Sequence, residues 1–397
     1  MRIAMFSPSL PRPFGTADAR WLFVCLSELA RRGHEVELVC CTESDESDLR
    51  EAQQLSDRYG FALQHIPMVI REPKLMRRAR SLRHPHSEYQ RVAEVPAAVA
   101  RAASRADLLH IEHLFPSWLA LKHPQASVYL HHLEAIDWTG PRILSHRDRL
   151  ERAQVNRATH TLLSRHNNFI VATPRIGDAV HAINANARIA HASVALDTSL
   201  YPLLDEVEAP TVGVVGSMHW YPSRSAAERV LLRLWPQIRA QVPDARLLVA
   251  GFGADQYLSH HFPIVGAELL GTVARPEDFF GNVNVLLYPP ERGSGMKIKA
   301  LESFGYGVPV VSNTEGLEGL VGDSGVHYLH ADTDSALIAA TVSLLNDRKR
   351  RQSMRLAARE LLDSYYSPVP AIDRLIAAWN IHHDLPSETS TIQGAAA

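Results

Sequence analysis

The chain has 397 residues, of which 46% are hydrophobic and 21% charged; 41 Lys plus Arg against 43 Asp plus Glu leave a net charge of -2. That length suits two α/β domains better than one core, and the near-neutral balance lacks the basic excess of a dedicated nucleic-acid binder. The three cysteines, Cys25, Cys40 and Cys41, give neither a disulfide framework nor a C-x-x-C zinc spacing, and fit a reducing compartment.

No stretch reaches the roughly 20 apolar residues that span a bilayer, and Pro8 cuts the opening apolar run before it could serve as a signal core. The expected location is cytoplasmic, with room for peripheral contact at the inner face of a membrane.

Residues 2–7 read as a buried first strand, followed by a Pro/Gly loop over 8–15. A helix is predicted over 19–32, with Leu22, Leu26 and Leu29 at helical spacing and Gly33 closing it. Strands follow at 35–40, 61–66, 107–111, 127–130 and 169–172, with helices over 88–104 and 147–165. Strands alternating with helices imply a parallel sheet, so residues 1–200 are assigned to a first Rossmann-like domain. The acidic, proline-ended stretch 203–210 reads as a linker. A second domain of the same kind is assigned to 209–366. It has strands at 211–215, 245–250, 283–288 and 309–312, and helices at 223–240, near 297–306 and at 334–346. Asp332-Thr-Asp334 reads as the start of that last helix, with one of the aspartates capping it, not as a metal-binding Asp-x-Asp. Residues 367–382 form a final amphipathic helix, and 383–397 a flexible polar tail.

The segment richest in chemistry runs from Pro289 to Val311. A strand ends there, and Gly293-Ser294-Gly295 opens a helix. Glycines at a helix start let backbone N–H groups approach an anion, and the helix dipole favours negative charge. Lys297 and Lys299 add positive charge, and Glu302 can accept two hydroxyl hydrogen bonds. A diphosphate at the helix start and a ribose diol at Glu302 form a consistent picture.

This segment resembles the nucleotide-sugar site of the retaining family 4 (group 1) glycosyltransferases, through Leu301-Glu302, Gly307-Val-Pro-Val-Val311 and Thr314-Glu-Gly-Leu-Glu-Gly-Leu320. Many members have a second glutamate at the position of Ser294. This chain is similar to a branch with Gly-x-Gly-x-Lys-x-Lys in its place. The resemblance extends to Val215–Ser223, Val249–Gly253, Leu270–Val273 and the loop Pro13–Thr16. It implies the GT-B fold: two Rossmann-like α/β domains facing each other across a cleft, with a C-terminal helix crossing back to the first. It also implies a nucleotide diphosphate sugar as donor, no metal or other cofactor, and retention of the anomeric configuration by front-face displacement. In that mechanism the leaving phosphate helps to deprotonate the acceptor. The donor-binding residues implied are Gly15, Gly216, Ser217, Val273, Arg292, Gly293, Ser294, Gly295, Met296 and Glu302, with Lys297 and Lys299 stabilising the leaving group.

In the first domain the strand ends Leu109-His-Ile-Glu-His113 and His131-His-Leu-Glu134 supply further candidates. Glu112 and His113 are the catalytic candidates there; His110, His131, His132 and Glu134 are the acceptor-side set. The acceptor class stays open among glycans, lipid-linked sugars and small molecules. Arginines concentrated over 71–91 form a basic stretch suited to phospholipid or lipid-diphosphate headgroups. Two rivals stand beside the transferase: a GT-B nucleotide-sugar epimerase, and a catalytically inactive nucleotide-sugar-binding protein.

Overall fold

The computed structural model describes residues 1–137 and 145–383; the tail expected from 383 lies, after that residue, outside the described residues. The chain divides into two units, Met1–Val194 with the chain from Pro368 onward, and Ala195–Ser367.

The first unit is built on a seven-stranded parallel sheet. Its strands are β1 (Arg2–Ser7), β2 (Glu35–Thr42), β3 (Ala62–Pro67), β4 (Leu108–Glu112), β5 (Ser127–Leu130), β6 (Asn168–Val171) and β7 (Arg188–His191), in the order β3-β2-β1-β4-β5-β6-β7. Ile3 lies between Val36 and Leu108 in register. Strands β4, β5 and β6 are buried along their whole length, as expected where helices cover both faces of a parallel sheet. Phe6, Ile111, Val128, Leu130 and Phe169 form the centre of one core cluster.

The helix Ala17–Arg31 buries Trp21, Leu22, Cys25, Leu26 and Leu29. The terminal helix Pro368–His383 packs beside it and against β7. It is pinned by an Arg32–Asp373 ion pair at 2.6 Å and by Arg188, whose guanidinium donates to the His382 carbonyl at 2.9 Å. The helix expected over 88–104 is broken into Glu88–Arg91 and Val95–Arg105. Pro96 has no N–H to donate and so sits in the first turn of the second piece. The helix Glu46–Tyr59, absent from the expectation, buries only Ala52 and Ser56. Its apolar stripe is too thin to show as a period. Its definition comes from Asp45, which accepts from the N–H groups of Ser47 and Asp48, and from Gly60 at φ 82°.

The second unit has a six-stranded parallel sheet. Its strands are β8 (Thr211–Val215), β9 (Arg246–Ala250), β10 (Ala267–Gly271), β11 (Val285–Tyr288), β12 (Val310–Ser312) and β13 (Leu329–His330), in the order β10-β9-β8-β11-β12-β13. The helix expected over 223–240 runs from Tyr221 to Gln241 with a π turn at Val230–Leu234. Pro236 follows that turn and cannot donate back along a regular ladder, so the wider turn absorbs the mismatch. The acidic segment 203–210 packs onto its own unit: Glu206 pairs with Arg348 at 3.2 Å and with Arg351, and the Leu204 N–H donates to the Tyr306 carbonyl at 3.1 Å. Neither aspartate caps the helix Asp334–Asn346, contrary to the sequence expectation. Thr333 accepts from the Ala336 N–H at 3.2 Å. Asp332 is drawn to the Thr314 N–H at 2.9 Å, and Asp334 to Arg229 and Arg233 at 2.8 and 2.6 Å.

No helix among the described residues is long and apolar enough to cross a membrane.

Candidate active site

Open α/β sheets bind ligands at the carboxyl ends of their strands, where the strand order reverses. In the first sheet that point lies between β1 and β4, and in the second between β8 and β11. The loops after those strands carry most of the candidate residues.

In the second unit, β11 leads through Pro289–Met296 to the helix Ile298–Tyr306. Gly295 sits at φ 79°, where a side chain would strain the backbone. Lys297 is fully buried, and its ammonium donates to the carbonyls of Gly293 and Ser294, both at 3.2 Å, and to that of Gly295. Three carbonyls are thus turned toward one buried cation. The N–H groups face the other way: Gly293 donates to Glu315 Oε2 at 3.1 Å, and Gly295 to Glu318 Oε1 at 3.3 Å. Two carboxylates therefore occupy the amide positions expected to hold an anion. Lys299 Nζ lies 3.0 Å from Ser223 Oγ and 4.1 Å from the Tyr288 ring centre, with the Trp220 ring at 5.3 Å. Aromatic faces of this kind hold a cation without neutralising it.

Glu302 is buried one turn into the helix, three residues after Lys299 and so on the same face. Ser294 is buried, Arg292 and Met296 half-buried. Gly216 follows β8, where a Cβ would meet Ser223 Oγ at 2.5 Å; only glycine lets the chain pass Ser223 here. Ser217 is exposed beside it. Val273 follows the edge strand β10.

In the first unit the expected residues converge. Glu112, at the end of β4, is buried and accepts three hydrogen bonds: from His110 Nε2 at 2.9 Å and Trp21 Nε1 at 3.2 Å on one oxygen, and from His131 Nε2 at 2.5 Å on the other. Burial alone would raise this carboxyl, but His131 and His110 hold it well below the usual carboxylate range. Trp379 donates to His110 Nδ1 at 3.0 Å. His113 adopts φ 70°, and its ring lies 4.7 Å from that of His131. A non-glycine residue there costs about 1 kcal/mol. Burial and the neighbouring His131 push His113 down to about 4, against the pull of Asp18 at 3.8 Å. His132 pairs with Glu134 at 3.4 Å; burial would lower it, but that carboxylate holds it up at about 9. Gly15 is exposed in the loop after β1.

Sequence reasoning overlooked Trp21, Asp18 and Trp379 in the first site, and Trp220, Ser223 and Tyr288 in the second. Trp379 comes from the far end of the chain and carries no local signal. Glu315 and Glu318 lay inside a quoted motif, but their hold on the glycine amides depends on tertiary structure. No group of three or more His, Cys, Asp or Glu among the described residues is arranged to hold a metal ion.

Residues 209–347 match the sequence model of the family described as glycosyl transferases group 1. The chain carries a group 1 glycosyltransferase domain. Among curated proteins, none matches in sequence. Solved structures similar to the whole chain include sucrose-phosphate synthase from Thermosynechococcus elongatus, at TM-score 0.68 and 14% identity, covering 95% of this chain and 99% of that one. Anabaena Alr3699/HepE in complex with UDP-glucose is similar at TM-score 0.66 and 13% identity over 94% and 98%. A variant of S. aureus TarM with fondaparinux, α-GlcNAc-glycerol and UDP is similar at 0.65 and 11% over 96% and 100%. At these identities the likeness shows the fold, and that fold is GT-B. With the family match, the chain is a glycosyltransferase.

Proposed function

We propose that this glycosyltransferase takes a sugar from a nucleoside diphosphate sugar and transfers it to a hydroxyl acceptor, with retention of anomeric configuration. The observation that carries the donor assignment is the pair of carboxylates on the Gly293 and Gly295 amides, within the stretch that matches the family. Amides that hold two carboxylates beside a helix N-terminus are chemically fit to hold a diphosphate. Lys299 lies close by to offset charge on the departing nucleotide, and Lys297 keeps the loop in its amide-out shape. Glu302 takes the ribose hydroxyls. The HepE structure is in complex with UDP-glucose and that of TarM holds UDP, so uridine nucleotides are the first to test.

Retention rests on the resemblance to family 4 alone. Proton NMR of the first-formed product reads the anomeric configuration directly, and an inverted product refutes retention. Nucleotide release that rises with a panel of sugar and lipid acceptors separates a transferase from an epimerase and from an inactive binding protein.

Peripheral membrane contact is proposed for the helix Lys74–Arg83. It buries no side chain, exposes Leu75, Met76 and Leu82, and interleaves them with Lys74, Arg77, Arg78, Arg80 and Arg83. A helix so built lies in an anionic lipid interface. Co-sedimentation with phosphatidylglycerol vesicles at low salt, lost in the Leu75→Glu and Leu82→Glu double variant, is expected; no binding at low salt refutes it.

A further inference from the structure

We infer that the cavity at the amino ends of β4, β5 and β7 is a binding site for a small organic phosphate, gripped by Lys122 and Arg188. It lies wholly within the first unit, at the opposite end of the sheet from the loops that carry Glu112 and His131. It stands whether or not the glycine loop takes a nucleotide.

The cavity has a volume of about 600 Å³. It is bounded by the helix Val95–Arg105, the turn 122–125, the first residues of the three strands and the end of the helix Pro368–His383. Small-molecule sites run to roughly 300–1,000 Å³, so there is room for an organic body beside one phosphate group. Ala103, Leu109 and Pro124 give that body short apolar walls.

The charge on the wall is unbalanced. Its carboxylate, Asp107, is already matched by Arg2, whose backbone N–H lies at 2.8 Å and whose guanidinium lies at 2.7 Å. Lys122 and Arg188 are both exposed and meet no carboxylate among the described residues. Arg188 donates through Nε to Asn168 Oδ1 at 3.0 Å and through Nη2 to the His382 carbonyl at 2.9 Å, both neutral oxygens. Its Nη1 and the second hydrogen of Nη2 remain for a ligand. A lysine point charge beside a planar arginine fork is suited to phosphate oxygens.

The floor is polar and held by its own hydrogen bonds. Burial pushes His382 down to about 4, with Arg188 and two neighbouring histidines, His383 and His166, adding to the effect, so its ring is neutral near pH 7. Its Nε2 donates to the Arg188 carbonyl at 3.1 Å, which leaves Nδ1 to accept from Ser127 Oγ at 2.9 Å. The Ser127 oxygen then accepts from His383 Nε2 at 3.3 Å. His123 is lowered by burial and by Lys122 beside it. A bound anion would offset the cations that act on both rings.

The test is titration calorimetry on the full chain with glycerol 3-phosphate, glucose 1-phosphate, inorganic phosphate and citrate, in the presence of UDP so that the glycine loop is occupied. At least one organic phosphate is expected to bind once per chain, more tightly than inorganic phosphate or citrate. Lys122→Glu is expected to weaken it by about tenfold or more, with UDP affinity within about twofold of wild type. Lys122 is exposed, so this variant should fold. Arg188→Gln keeps a neutral donor for the His382 carbonyl and should weaken binding as well. No binding of either organic phosphate, binding unmoved by both substitutions, or tightest binding of citrate or inorganic phosphate would overturn the inference. A chain that fails to bind UDP but loses its organic phosphate in Lys122→Glu counts against the donor reading and supports this site.

Discussion

Trp379 and His110 are 269 residues apart in sequence and share a hydrogen bond of 3.0 Å in the core of the first unit. Through it the last helix makes His110 Nδ1 an acceptor, which leaves Nε2 to donate to Glu112. Trp379→Phe removes the donor together with part of the buried ring volume. It leaves a buried acceptor unmet at a cost of about 1–3 kcal/mol, read as a lower urea midpoint with an unchanged slope. A midpoint equal to wild type contradicts this role.

Lys297 and Lys299 separate by function. Lys297→Met leaves three loop carbonyls without their cation, and is expected to lower the melting temperature as well as nucleotide affinity. Lys299→Met is expected to spare the melting temperature and to cost roughly tenfold in UDP affinity, about 1.4 kcal/mol. Differential scanning calorimetry and titration calorimetry on both variants check the split; equal effects on stability refute it.

Glu315 and Glu318 hold the amides that the diphosphate is proposed to use. A ligand there must displace them. Glu315→Ala and Glu318→Ala together are therefore expected to tighten UDP binding several-fold, since each charge-assisted bond is worth about 1.5–3 kcal/mol before solvent compensates. Unchanged or weaker binding shows that the carboxylates do not compete.

The ion pair of His132 with Glu134 gives a signed pH effect. The ordinary value of the imidazole is 6.5 and its folded value is held up at about 9. The folded state thus binds the proton more tightly. The pair's stabilisation is full below pH 6.5 and is lost as pH rises through 9. Both side chains keep some exposure, 32% and 27%, so screening reduces the effect to the order of 1 kcal/mol. Urea melts from pH 6 to 10 should show this decline in wild type and not in Glu134→Gln.

The two sheets were legible in the sequence because β1, β4, β8 and β11 are apolar runs bounded by glycine, proline or charge. The glycine loop was legible because its residues are contiguous. The histidine cluster was visible as residues but not as a network: Glu112 stood as a catalytic candidate, yet its partners Trp21 and Trp379 come from helices whose periodicity marks them only as core. Lys297 stood beside Lys299 as a leaving-group cation. Its burial under three carbonyls follows from the turn at Gly295, which spacing alone does not reveal. The cap at Thr333 was missed because two flanking aspartates are equally good cap residues until Arg229, Arg233 and the Thr314 amide claim them.

The central claim, a nucleoside diphosphate on the Gly293–Gly295 loop with its ribose on Glu302, is tested most directly by thermal shift against a panel of nucleoside diphosphates and their sugars, with Glu302→Ala in parallel. At least one diphosphate is expected to raise the melting temperature of the wild type, by an amount much reduced in Glu302→Ala. A panel that shifts neither protein contradicts the donor site.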